Sequence, residues 1–326
     1  MPQRELDADT RPGIYWGIEM TNKLKFSASA AALALTIAMG ASSVRAADLA
    51  EPGCTLSGSV AAGFLYDWQK LDPEGSGNNL DIDWSTPFGE GAGLVTCGGF
   101  NIQADVAYYA HSGDADDFSS DVDFDQTRTH IGGDLFYRDP SSWAGGLQAS
   151  WISQDFDGID VDVFRVGLFG EYYPSDVFTL GASAHYYNSD WPEGKDEDGA
   201  QLAAWGRFYA TPDFSLMLRG DVLLANFDFS NSSNDADWDG FAVTGEGEYL
   251  VWDQGLSLFA GARYAEREID PDNSNSLDLD DFQVYGGLKF YFGHDGTLLE
   301  RQRTGTVDNT SVFDEKLPFF SEVVEP

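Results

Sequence analysis

Phe100-Asn-Ile-Gln-Ala-Asp-Val-Ala-Tyr-Tyr-Ala110 alternates without a break. Phe100, Ile102, Ala104, Val106 and Tyr108 share one face, and Asn101, Gln103, Asp105 and Tyr109 share the other. Such period-two patterning marks a strand whose two faces meet different surroundings. The same pattern recurs in Leu56–Tyr66, Phe178–Tyr187, Phe214–Leu224, Leu256–Tyr264 and Phe282–Phe292. Extended along the chain, it predicts twelve strands (range 10–14), at about 55–67, 88–97, 100–111, 127–138, 143–154, 162–173, 178–188, 200–210, 214–227, 241–251, 255–265 and 282–292. The second is glycine-rich and alternates weakly. Each is about the ~9–11 residues that a tilted strand needs to cross a bilayer.

The connections alternate too. Gly98-Gly99, Asp139–Ser142, Pro174–Val177, Thr211–Asp213 and Trp252–Gly255 are short. Between them lie long acidic segments, at roughly 68–87, 112–126, 155–161, 189–199, 228–240 and 266–281. Short turns at one end and long loops at the other predict an all-β fold, a transmembrane antiparallel up-and-down β-barrel with periplasmic turns and extracellular loops.

Charge placement decides between lipid and a soluble core. Residues Asp, Glu, Lys and Arg make up 22% of the chain, yet the apolar faces between the aromatic strand ends carry none. The opposite faces hold Arg128, Arg138, Arg165, Arg207, Arg219, Arg263 and Lys289 with Asp105, Asp134, Glu171, Asp221, Glu246 and Glu248. One such cation on the lipid side at the midplane costs about 2–4 kcal/mol, so a bilayer enforces this orientation. Aromatics on the apolar faces gather at both strand ends. Tyr66, Tyr108, Trp151, Tyr186 and Tyr264 form one girdle; Phe100, Tyr137, Trp143, Tyr172, Phe178, Phe214 and Tyr249 form the other.

The composition agrees. With 55 acidic against 18 basic residues in 326 and a net charge of −37, the chain lacks the cations that a nucleic-acid partner demands. Its 9 Trp, 14 Tyr and 23 Phe are too many for an acidic disordered coil. No apolar run reaches the ~18 residues of a membrane helix.

Lys23 and Lys25 precede the apolar stretch Phe26–Met39 and the small residues before Val44-Arg45-Ala46-Ala47. This is the pattern of a secretory signal peptide cut after Ala46 or Ala47. Residues 1–19 then read as an over-extended start, 20–46 as the signal, 47–53 as a periplasmic lead, 54–292 as the barrel and 293–326 as a periplasmic tail. In an oxidising compartment Cys54 and Cys97 are expected to form a disulfide. The topology puts both at the turn end of neighbouring strands.

The leader Ala32-Leu-Ala-Leu35 with Val44–Asp48, and the closing strand Val284-Tyr-Gly-Gly-Leu-Lys-Phe-Tyr-Phe292, resemble Gram-negative outer-membrane β-barrel proteins, in particular the porin-like ones of alphaproteobacteria. The resemblance implies an outer-membrane location, contact with outer-membrane lipid and lipopolysaccharide, and delivery by the barrel-assembly machinery reading the aromatic last strand. Many family members stop at that final aromatic. Here a tail with Glu300, Arg301, Arg303, Pro318 and Phe319-Phe320 follows, suited to plugging the lumen, touching the cell wall or hanging loose.

The functional expectation is a porin-like passive channel. Its selectivity set is Asp105, Arg128, Asp134, Arg165, Glu171, Arg207, Arg219, Asp221, Glu246, Glu248, Arg263 and Lys289. Twelve strands spaced ~4.7–4.9 Å and tilted ~40° give a cylinder roughly 24 Å across, leaving a narrow pore. Acidic loops would favour cationic or neutral solutes by focusing the field at the mouth. The alternative is a sealed or surface-binding barrel, working through acidic loops with exposed Trp68, Trp84, Trp191 and Trp238. Catalysis by His111, His130 or His185 with Ser112, Ser183 or Ser189 lacks a recognisable nucleophile–base spacing, and no enzyme activity is expected. Asp235-Ala-Asp237-Trp-Asp239-Gly240 with Glu246 matches an EF-hand loop pattern, but strand-like segments flank it. No cofactor or metal is therefore expected, and oligomeric state is not readable.

Overall fold

The computed structural model describes residues 53–73, 80–116, 121–156, 159–191, 195–229, 236–271 and 276–308. The alternating segments become twelve antiparallel strands: β1 (Cys54–Pro73), β2 (Leu80–Cys97), β3 (Phe100–Asp116), β4 (Asp121–Asp139), β5 (Trp143–Phe156), β6 (Ile159–Ser175), β7 (Phe178–Trp191), β8 (Lys195–Thr211), β9 (Phe214–Phe229), β10 (Ala236–Trp252), β11 (Leu256–Pro271) and β12 (Leu277–Phe292). Each pairs with its sequence neighbour, and β1 closes on β12 from Gly58↔Phe292 to Pro73↔Leu277. A short helix α1 (Leu298–Thr304) follows. Closure leaves no exposed sheet edge, the condition for a sheet to sit in lipid.

The turns after β2, β4, β6, β8 and β10 all lie at one end. Among the two-residue turns, Gly98-Gly99 uses a left-handed residue, and Gly98 supplies φ +65°. At this end Cys54 and Cys97 stand directly opposite in the β1–β2 register, Cα atoms 4.2 Å apart, joined by the expected disulfide. The leader and residues 309–326 lie outside the described residues.

The strands reach much further toward the loop end than their lipid-crossing parts, and most of the segments expected as loops are strand. The alternation continues there with its sense inverted. Below, apolar side chains point out and charged ones point in. Above, Asp81 and Asp83 point out while Ile82 and Trp84 point in. Asp160 and Asp162 flank inward Val161 and Val163, Asp237 and Asp239 flank inward Trp238, and outward Asp278 separates inward Leu277 and Leu279. The inversion is what the surroundings dictate: lipid wants apolar groups outside, and water wants charge there. Expectations of loop at 68–87 and 266–281, among others, are corrected accordingly. β2 begins at Leu80 rather than 88, and Pro87, lacking an amide hydrogen, interrupts its pairing with β3.

Two of the tryptophans expected to be exposed are not. Trp84 and Trp238 are buried inside the barrel, whereas Trp68 lies on the outer face and stacks on Phe282 at 5.7 Å. Trp191 is half-buried and donates to Ser189. The remaining loop tips lie outside the described residues.

Candidate functional site

The inward faces define a lumen in four levels. At the loop end, side chains from β1, β2, β5, β6, β7 and β9 to β12 form one apolar cluster that includes Leu71, Ile82, Trp84, Ile152, Phe227 and Trp238. None keeps more than 7% of its surface, so among the described residues these side chains line no water-filled path. This level is dry and packed.

Beneath it lies a buried polar belt. Arg165 donates to Ser150 at 3.2 Å and to Gln201 at 3.4 Å. Gln126 donates to Gln154 at 3.0 Å. Arg128 rests over the Tyr109 ring at 4.9 Å. The three histidines belong here or just below. His111 Nδ1 pairs with the Thr86 hydroxyl at 2.8 Å, His130 Nε2 lies 3.3 Å from Asp105, and His185 Nε2 bonds Gln148 at 3.1 Å. Ser112 donates to Asp125 and Ser189 to Glu197. These pairings tie strands of the wall to one another.

The third level is a chamber of about 250 Å³ lined by the charged residues singled out from the sequence and by aromatic rings. Arg207 reaches Glu246 at 3.8 Å and Glu248 at 3.7 Å. Arg219 grips Asp221 through Nε and Nη2 at 2.8–3.0 Å. Arg263 donates to Thr244 and Gln283, and Lys289 lies 5.2 Å over Tyr291. Glu171 accepts from Tyr173. Asp134 is inward and buried beside this level. Every residue of the expected set is on the inner wall, but Arg128, Asp134, Arg165 and Asp221 are not among those that line the chamber. Glu246 points inward while Asp237 and Asp239 point outward on the same strand, so the EF-hand pattern closes no loop; Asp235 lies outside the described residues.

The turn end holds the fourth level, which the chain supplies itself. After Phe292 the backbone turns back at Gly293 (φ +82°) and Gly296 (φ +128°). α1 then starts at a capping box in which Thr297 and Glu300 satisfy each other's backbone amides. Its Leu298 packs on Leu250 and Tyr291, and the amide of Leu299 donates to Pro212 O at 3.0 Å. Arg301 donates to the carbonyls of His294, Gly296 and Asp253. Arg303 donates to Ser175 and Phe178 O and lies over Tyr173. Beyond the helix, Arg138 donates to Gly305 O at 2.6 Å, and Val307 joins Leu94, Phe136 and Phe169. Asp308 reaches Arg219 at 3.4 Å. Residues 293–308 thus form a stopper inside the mouth.

The sequence reading missed part of this wall: Asp67, Glu90, Glu197, Arg267 and Asp281 all face inward. All but Glu90 sit in segments read as loops or at their edges, and Glu90 sits in the strand with the weakest alternation. The continuing period-two pattern, in inverted sense, was the available signal.

A closed antiparallel barrel with an uncharged outer band, aromatic girdles and a charged interior is a β-barrel of the outer-membrane type. No family model and no curated relative matches the chain. Among solved structures it is similar to an outer-membrane channel of Pseudomonas putida F1, at 10% identity over 74% of this chain and 97% of that one, TM-score 0.50. It also matches the β domain of the Bordetella autotransporter BrkA (12% identity, 72% and 100% covered, TM-score 0.44) and the KdgM porin (10%, 70% and 99%, 0.35). At these identities the likeness is one of fold.

Proposed function

We propose that this protein is a porin-like outer-membrane channel for small solutes, closed in this conformation by its own C-terminal segment at the turn end and by the apolar cluster at the loop end. The carrying observation is the chamber. A barrel built only as a wall gains nothing by keeping a solvent-accessible, charged space of about 250 Å³ at its centre, where unfilled volume and desolvated charge both cost stability. A channel needs such a space. The side chain of Asp308 stays 58% exposed although it lies within the barrel.

The bias toward cationic and neutral solutes belongs to this reading in reduced form. The loop-end carboxylates point outward, so they enrich cations around the mouth within the ~8 Å screening length of physiological salt rather than along the path. Lipid and lipopolysaccharide contact, export by the leader and assembly through the aromatic end of β12 complete the reading.

The dry apolar cluster favours a second reading, a sealed barrel that works through its outer surface. Planar-bilayer recording separates them. The intact chain is expected to show rare, small openings, and a chain ending at Gly293 frequent and larger ones. Silence from both, with each shown to be folded by heat-modifiable gel mobility, supports the sealed barrel.

A further inference from the structure

Where β1 borders the chamber, its inner face is nearly bare. Ala61 pairs with Glu90 on β2 and with Lys289 on β12, and Gly63 pairs with Phe88 on β2 and Gly287 on β12. Glu90 and Lys289 therefore stand at one level on either side of Ala61, their backbones two strand spacings or about 9–10 Å apart. All three line the chamber. Toward the loop end come two rings. A Cβ on Gly63 would stand 2.6 Å from the Phe88 ring, and one on Gly287 2.8 Å from the Phe259 ring. The two glycines thus let both rings lie over the wall, where they meet at 6.2 Å. Toward the turn end the recess stops at Ser59, whose hydroxyl meets that of Thr306 in the stopper at 3.2 Å.

The two charges beside Ala61 do not meet. Among the described residues the Lys289 ammonium makes no hydrogen bond or ion pair, and it stands 5.2 Å over the Tyr291 ring. Glu90 accepts from the Tyr109 hydroxyl at 2.5 Å. The chamber's arginines, in contrast, are matched within the wall: Arg207 to Glu246 and Glu248, Arg219 to Asp221. A solute of one sign would meet the like charge across the recess, where the low dielectric of the wall screens it poorly. A molecule with an ammonium and a carboxylate on one carbon answers both, through contacts of about 2.7–2.9 Å at each end. The ring faces beside it suit a flat apolar group. At about 250 Å³ the chamber is just below the usual size of ligand pockets, which limits it to one small molecule.

We infer that the recess between Glu90 and Lys289 binds a zwitterionic α-amino acid with an aromatic side chain. Its ammonium meets Glu90, its carboxylate meets Lys289, and its ring lies against Phe88 and Phe259. Such a solute has no net charge, in keeping with the bias toward cationic and neutral solutes. The inference deepens the channel reading and rests on it for the solute's way into the chamber, but binding and conduction are measured apart.

Equilibrium dialysis of the full-length protein in a non-ionic detergent tests this, because it tolerates slow entry past the stopper. The probes are radiolabelled L-phenylalanine, phenethylamine (no carboxylate), 3-phenylpropionate (no ammonium) and L-alanine (no ring). Phenylalanine is expected to bind saturably and at least tenfold tighter than each of the others. Lys289→Met is expected to lose at least tenfold in phenylalanine affinity while binding phenethylamine no more weakly than the parent does. Glu90→Gln should show the mirror image, losing phenylalanine at least tenfold and sparing 3-phenylpropionate. Either variant serves if the other does not fold. No saturable phenylalanine binding, an analogue bound as tightly as phenylalanine, or unchanged phenylalanine affinity in the variants that fold each overturns the site. Frequent openings of the chain ending at Gly293 would in that case leave the channel reading standing, so the two fall separately.

Discussion

Gln103 on β3 holds Val307 of the C-terminal segment as a neighbouring strand would: its Oε1 accepts from the Val307 amide at 2.8 Å and its Nε2 donates to the Val307 carbonyl at 2.7 Å. A side-chain amide satisfies both main-chain groups of a residue 204 positions away, deep in the mouth, where water is scarce. Gln103→Leu removes both bonds and leaves two buried main-chain groups unsatisfied, at about 1–3 kcal/mol each. Cleavage of the tail by added protease is expected to rise at least tenfold with the barrel intact. An unchanged cleavage rate would show that Gln103 does not hold the stopper.

The lipid-facing band makes its own prediction. Leu218 lies mid-strand on β9, 63% exposed and pointing outward. Leu218→Arg should cost about 2–4 kcal/mol in a bilayer, read as a lower urea midpoint in vesicles. On a water-facing sheet the same change would be near neutral.

Outward carboxylates oppose one another directly across the loop-end strands: Asp155 faces Asp160, Asp162 faces Asp190, Asp239 faces Glu268 and Glu266 faces Asp280. Like charges in register repel by about 0.2–1 kcal/mol a pair, and salt screens them. Raising sodium chloride from about 10 to 300 mM, which shrinks the Debye length several-fold, should therefore raise the melting temperature of the detergent-solubilised protein by several degrees. A flat or falling response would contradict this account.

The stopper should loosen in mild acid. Burial, followed by the positive charge of Arg301 and Arg138, holds His294 below the ordinary imidazole value of 6.5. A lowered histidine stays neutral when docked but takes a proton when released, so docking is fully stable above 6.5 and weakens as pH falls below it. Tail cleavage is expected to increase from pH 7.5 to 5.5 in the parent and to lose most of that slope in His294→Gln.

The lipid-crossing barrel was legible because bilayer and lumen impose opposite demands on alternate residues. Hence the turns, the strand count and the Cys54–Cys97 pairing followed from Phe100–Ala110 and its repeats. The loop-end strands were not legible as strand because the expected sense of alternation was the membrane's. Asp237-Trp238-Asp239 reads as an acidic loop until water is placed outside and a packed core inside. The stopper was the least legible. Arg301 and Arg303 bond mainly to carbonyls, which leave no trace in residue type.

The tail's holdfasts are spread round the ring: Ser59 on β1, Gln103 on β3, Arg138 on β4, Gln148 on β5, Glu248 on β10, Tyr291 on β12, and main-chain oxygens beside β6, β7 and β8. No subset of strands offers that seat. The terminal residues can therefore settle only once the first and final strands have met, which makes their arrival the concluding step of biogenesis and a built-in check that the cylinder is complete.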